Sequence, residues 1–250
     1  MASKLFYNDI IPLNRDKHRT LHIDSSKGDA SFAEHTHYVP LAASEFYQAS
    51  KDYPILFAGE GDSAGAIALL GLRENENLFV SDDKRWIKGT YVPAFVRRYP
   101  FILARNETQS DFTICFDQSY AGFSDDSGDA LFDEEGKESS YLGGVIDFLN
   151  RYTRELEMTA GFVSWLQEHD LLATRTLRVS DRFGRNFFLN DFRVVDEEKL
   201  AKLEDNQLGE LHKKGWLGLI YAHLISLGCI TRLPEHLEPP EETVEDITIQ

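Results

Sequence analysis

The longest helical pattern in the chain, "SYLGGVIDFLNRYTRELEMTAGFVSWLQEHDLL", begins at Ser140 and constrains the fold more than any other stretch. Val145, Phe148, Leu149 and Tyr152 fall on one apolar stripe at helical spacing, and Phe162, Trp165 and Leu166 on another. Gly161, between the two, is expected to break or bend the helix. Downstream, "LRVS" and "NFFLNDFRVVD" (186–196) read as strands flanking the turn "DRFGR". "DEEKLAKLEDNQLGELHKKGWLGLIYAHLISLG" then reads as two short helices and a longer one. Asp196 is a fitting N-cap for the first, and Gly215 a fitting break before the third.

The first half has a different texture. "AASEFYQASKD" predicts a short helix stopped by Pro54. "PILFA" (54–58), "AIALLGL" (66–72), "NLFV" (77–80) and "FTICFD" (112–117) read as strands. Continuous apolar runs of this kind suit strands covered on both faces. The expectation is a single α+β domain over residues 1–237, with a strand-rich N-terminal half carrying a mixed or antiparallel sheet and a helical C-terminal part. Residues 238–250 are expected to form an acidic, mobile tail.

Charge narrows the function classes. The net charge of −16 over 250 residues disfavours nucleic acid and anionic membrane surfaces, which need a positive patch. No apolar run is long enough to span a bilayer, and the first residues lack the apolar centre of a signal peptide. Cys115 and Cys229 lie in apolar runs and read as buried thiols rather than a disulfide. A cytoplasmic protein is expected. The acidic "SDDSGDALFDEEGKES" fails as an EF-hand, because counting from Asp125 puts Ala130 where glycine is required and Gly136 where glutamate is required. It reads as a surface loop with a turn at "DEEG".

Chemistry-bearing motifs are sparse. No nucleophile elbow, phosphate loop or dinucleotide fingerprint occurs, and "GEGDSAG" (59–65) reads as a turn. His22 and Asp24 match the local pattern of a facial iron triad, but the candidates for its third ligand, such as His169 or His223, sit in helical contexts. His18, His22, His35 and His37 could form another metal site or simply occupy two surface loops. "YVPAFVRRYPF" (91–101) is the densest candidate. As a helix it aligns Val92, Phe95, Val96 and Tyr99 on one face, with Arg97 and Arg98 off its centre and Pro100 ending it. The arginines either pair with the abundant carboxylates or sit at the rim of an aromatic pocket, where a guanidinium recognises a carboxylate bidentately. Trp86 and Tyr91 could stack on a ring or cation. The candidate ligand-binding set is therefore Trp86, Tyr91, Phe95, Arg97, Arg98 and Tyr99, with no catalytic residue and no metal ligand assigned. "GWLGLIYAHLISLG" (215–228) reads as a core helix with His223 hydrogen-bonded at its edge, or as a face offered to a second subunit.

The order "IIPLNRDKH", "YPILF", "ALLGLRENENLFV", "YVPAFVRRYPF", "ALFDEEG" and "FRVVDEEKLAKLEDNQLGELHKKGWLGLIYAHLISL" resembles the bacterial SapC family, from about residue 6 to about residue 237. The family takes its name from a proposed role in secretion of a surface-layer protein. Its members are often encoded beside TonB-dependent receptors and tryptophan halogenases. The resemblance carries over no established cofactor or catalytic residue. The expectation is a non-catalytic accessory protein that binds a peptide, a protein segment or an amino-acid-like ligand, without nucleic acid or membrane insertion and with a homo-oligomer left open. An enzyme acting on a peptide or amino acid, metal-dependent or not, is the alternative.

Overall fold

The computed structural model describes residues 5–105 and 112–239, so most of the acidic tail expected at 238–250 lies outside the described residues. Along the first half run β1 (Ile10–Pro12), β2 (His22–Ile23), β3 (Tyr38–Pro40), α1 (Phe46–Ala49), β4 (Ile55–Ala58) and β5 (Gly65–Leu69). There follow α2 (Ala94–Arg97), β6 (Phe101–Arg105), β7 (Phe112–Asp117), β8 (Phe123–Ser124) and β9 (Asp129–Ala130). The second half contains α3 (Ser140–Glu168), β10 (Leu172–Ser180), β11 (Asn186–Val195), α4 (Glu197–Leu200), α5 (Asp205–Lys213) and α6 (Trp216–Ser226).

Three antiparallel sheets result, in the orders β1-β7-β6, β10-β11-β4-β5-β3 and β8-β2-β9. The α+β class with a strand-rich first half is thus the observed architecture. Ile55, Leu56 and Phe57 of β4 are fully buried, as their unbroken apolar run requires of a central strand.

Helix α3 is continuous through Gly161, contrary to the expected break. A side chain at Gly161 would meet nothing, so the glycine sits on the solvent side and costs only its backbone entropy, about 1 kcal/mol. The two ends of the helix serve different cores, with Phe148 packed against both. Leu142 and Leu149 pack with Ile23, Phe101, Phe116, Leu131 and Phe132. Tyr152, Phe162, Trp165 and Leu166 join the larger cluster under the five-stranded sheet. One helix therefore fastens both cores together.

Two further readings are corrected. "NLFV" is a turn rather than a strand. Asn77 Oδ1 accepts from Phe79 N (2.9 Å) while its Nδ2 donates to Ala33 O (2.9 Å), and this side-chain turn replaces the ladder. The acidic stretch after Ser124 is also more than a loop, because β8 and β9 flank β2 there. The turn at "DEEG" is present, with Gly136 N donating to Asp133 O. Asp196 caps α4, accepting from Glu198 N and Lys199 N, and Gly215 breaks the chain before α6 with φ of 71°. No described helix is long and apolar enough to cross a membrane.

Candidate functional site

Prolines bound the densest stretch, and they explain its shape. Only one helical turn forms, α2, because Pro93 starts it and the ring of Pro100 disfavours helical backbone at Tyr99. Phe101 then enters β6. The helical face expected across residues 92–99 is thus shortened to four residues, and successive side chains diverge to different surroundings.

Phe95 is core, 2% exposed, and is removed from any ligand-facing surface. Trp86 is half-buried and donates from Nε1 to Tyr53 Oη (3.1 Å). Tyr53 in turn donates to Tyr91 O. Tyr91 donates through its hydroxyl to Glu45 Oε1 (2.9 Å), which also accepts from Ala94 N (2.7 Å). Glu45 Oε2 accepts from Ala42 N (2.9 Å). Burial, and then the neighbouring Glu45, push the Tyr91 hydroxyl up to about 12. Arg97 is exposed, donating from Nη2 to Tyr91 Oη (3.1 Å) and from Nε to Val92 O (2.9 Å), with its guanidinium 5.3 Å from the Phe148 ring. Trp86, Tyr91 and Arg97 therefore belong to one hydrogen-bond network anchored on Glu45. The sequence reading missed Glu45; its signal was a glutamate three residues after Ala42, the spacing at which a side chain reaches back to a helix entry.

Arg98 turns inward. Its guanidinium lies 3.9 Å from the Phe95 ring centroid, 5.7 Å from Tyr7 and 5.9 Å from Tyr152. Its Nε and Nη2, and the Tyr152 hydroxyl, are buried without a hydrogen-bond partner among the described residues. Neither arginine forms an ion pair among the described residues. Aromatic faces offset the desolvated charge of Arg98, by about 2 kcal/mol or more, against a burial cost of several kcal/mol. Arg98→Met, which keeps the stem and removes the charge, is expected to leave stability unchanged or raise it by up to about 2 kcal/mol in urea unfolding. A loss of that size would instead make the caged charge a net stabiliser.

Tyr99 faces another way. It stacks on Phe32 (centroids 4.0 Å apart, planes 17°) and meets the edge of Tyr120 at 5.6 Å. These rings frame a cavity of about 300 Å³, lined also by Lys27, Gly28, Asp29 and Ser119. A Cβ at Gly28 would lie 2.0 Å from Tyr120 Oη, so any larger residue there displaces the end of that ring. Asp29 accepts from Ser31 N and Oγ through Oδ1 (2.9 and 2.6 Å), and these bonds hold its carboxyl below the usual range. Beneath the cavity, burial alone would raise the pKa of Asp117. Bonds from Ser119, Asn8 and Asp9 outweigh that and keep its carboxyl low.

The histidines scatter. His18 Nδ1 accepts from Asn14 N (3.0 Å), His22 Nδ1 lies 2.7 Å from Thr20 O, and the His37 ring meets Tyr38 edge-on. Among the described residues no group of three or more His, Cys, Asp or Glu is placed to hold a metal ion. Cys115 and Cys229 are free and buried, and burial raises both thiols.

A family model described as SapC matches residues 13–233. No curated protein and no solved structure matches the chain.

Proposed function

The chain belongs to the SapC family, and on that premise we propose that it is a non-catalytic accessory protein that binds an amino acid or the end of a peptide. The observation that carries this reading is the Phe32–Tyr99–Tyr120 cavity, at about 300 Å³ within the lower range of small-molecule sites. The stacked pair Phe32 and Tyr99 offers an aromatic wall. Lys27, whose ammonium rests 3.6 Å from the Asp24 carboxylate, and Asp29, on the same lining segment, carry the two charges that a zwitterion would complement. Of the six residues singled out from the sequence, Tyr99 is the one on this cavity; the Glu45 network supports the turn that presents it. A cytoplasmic setting fits the two free cysteines.

Native mass spectrometry of the chain purified from its own host is expected to show an added mass in the amino-acid or short-peptide range. Gly28→Ala drives Tyr120 from its place and is expected to lose that mass while melting within a degree or two of the parent. Clean protein mass, together with no rise in Tm on adding each proteinogenic amino acid at millimolar concentration, would sink the proposal, since a ligand well above its Kd must raise Tm.

A further inference from the structure

The β10–β11 hairpin is the most basic element of an acidic chain. Residues 172–195 hold five arginines (175, 178, 182, 185 and 193) against two aspartates, on a protein whose total is −16. The hairpin also exposes two phenylalanines, Phe188 at 59% and Phe183 at 42%. Arg178 lies opposite Phe188 in the ladder, with its guanidinium 5.9 Å from that ring, and Arg182 stands 4.8 Å from Phe183.

Strand β10 is an edge. It pairs with β11 on one side, and no described strand pairs with its other side. Residues Thr174 to Thr176, Arg178 and Ser180 are exposed along it. β11 touches β4 at one registered pair, Arg193 with Phe57, so the hairpin departs from the sheet beyond that point. A bulge between Arg175 and Leu177 accompanies the departure, with Asp191 held at φ of 64°.

From this placement we propose that the β10 edge receives an extended acidic segment of a partner protein by strand addition. The backbone of the edge would supply affinity through main-chain hydrogen bonds, and the arginines would select the sign of the side chains. Charge decides among occupants. A second copy paired antiparallel through β10 would bring two arginines from each strand to a seam that holds no carboxylate, and like charges there repel. Nucleic acid would meet the arginines but also the surrounding net negative charge. Arginines on an edge can also serve only to discourage pairing, and that alternative makes the opposite prediction about peptide binding.

The test uses the full chain and a fluorescent peptide of alternating Glu and Val, matched to β10 in length. Binding by anisotropy is expected, weakened at least tenfold by Arg175→Ser with Arg178→Ser and by N-methylation of alternate peptide amides. Arg175→Ser alone, which removes no described hydrogen bond, is expected to weaken binding severalfold and keeps the test decisive should the double variant fail to fold. No binding, equal binding of the N-methylated peptide, tighter binding of oligothymidine, or sedimentation showing β10-dependent self-pairing would each overturn the proposal.

Discussion

Replacing His223 by leucine is expected to cost about 3 kcal/mol at pH 7.5, with the loss shrinking by about 2 kcal/mol at pH 5. His223 is fully buried. Its Nε2 accepts from Val195 N (3.0 Å) and its Nδ1 donates to Ile55 O (2.7 Å), joining α6 to β11 and β4 in one side chain. Leucine fills much of the volume but leaves one buried N–H and one buried carbonyl unpaired, each worth about 1–3 kcal/mol. The pH dependence follows from the same geometry. Burial holds the imidazole down at about 4 against an ordinary 6.5. A proton on Nε2 would point at the N–H of Val195. Above pH 6.5 both folded and unfolded chains carry a neutral ring, and stability is complete. Between 6.5 and 4 the unfolded chain binds the proton and the folded one does not, so stability falls as pH falls. The leucine variant lacks this slope. Urea unfolding of both chains across that range is the check, and parallel profiles would refute the assignment.

His223 was legible in the sequence as a histidine on an apolar stripe at a core helix's edge. Its partners were not, because Ile55 and Val195 are far away in the chain. The same divide runs through the fold. β4 and β5 could be read because buried strands write themselves as apolar runs, and β11 because its aromatic and β-branched residues suit a strand. "NLFV" has the same composition, but Asn77 diverts its backbone into a turn. β6 went unread because residues 92, 95, 96 and 99 imitate a helical face, while two prolines leave room for a single turn. The candidate cavity is assembled from residues 8, 27–29, 31, 32, 99 and 119–121, which no local pattern links. Its one local mark was Gly28, with the ring of Tyr120 packed against it. The aromatic and arginine composition sought at 91–101 is instead exposed on the β10–β11 hairpin, where alternation puts Phe187 and Leu189 inside and Phe188 outside.

Glu45→Ala should release the whole 91–101 segment, at a cost of about 3–4 kcal/mol. The carboxylate is 4% exposed and serves three donors, Ala42 N, Ala94 N and the Tyr91 hydroxyl. Alanine leaves two buried backbone N–H groups without an acceptor, while Tyr91 retains Arg97 as a donor to its hydroxyl. Glu45→Gln keeps one oxygen but turns an amide NH₂ toward a backbone N–H, so its loss should be smaller, about 1–2 kcal/mol. The two substitutions separate geometry from charge. Burial raises the Glu45 carboxyl above its ordinary 4.5, outweighing the bonds from Ala94, Ala42 and Tyr91 and the charge of Arg97. The folded chain therefore holds the proton in a window above pH 4.5 where the unfolded chain has released it. This group's contribution is complete below 4.5 and is lost as pH rises through the folded value, opposite in sign to that of His223. Glutamine has no such slope, so its deficit relative to the parent should be larger in acid than at neutral pH. Urea unfolding at the two ends of that window measures the difference, and an equal deficit at both would show that the carboxyl is not raised. Amide exchange at Ala94 supplies the structural readout. Its amide loses its acceptor in Glu45→Ala, and protection there should fall well beyond the global loss of stability if Glu45 is what clamps α2 in place.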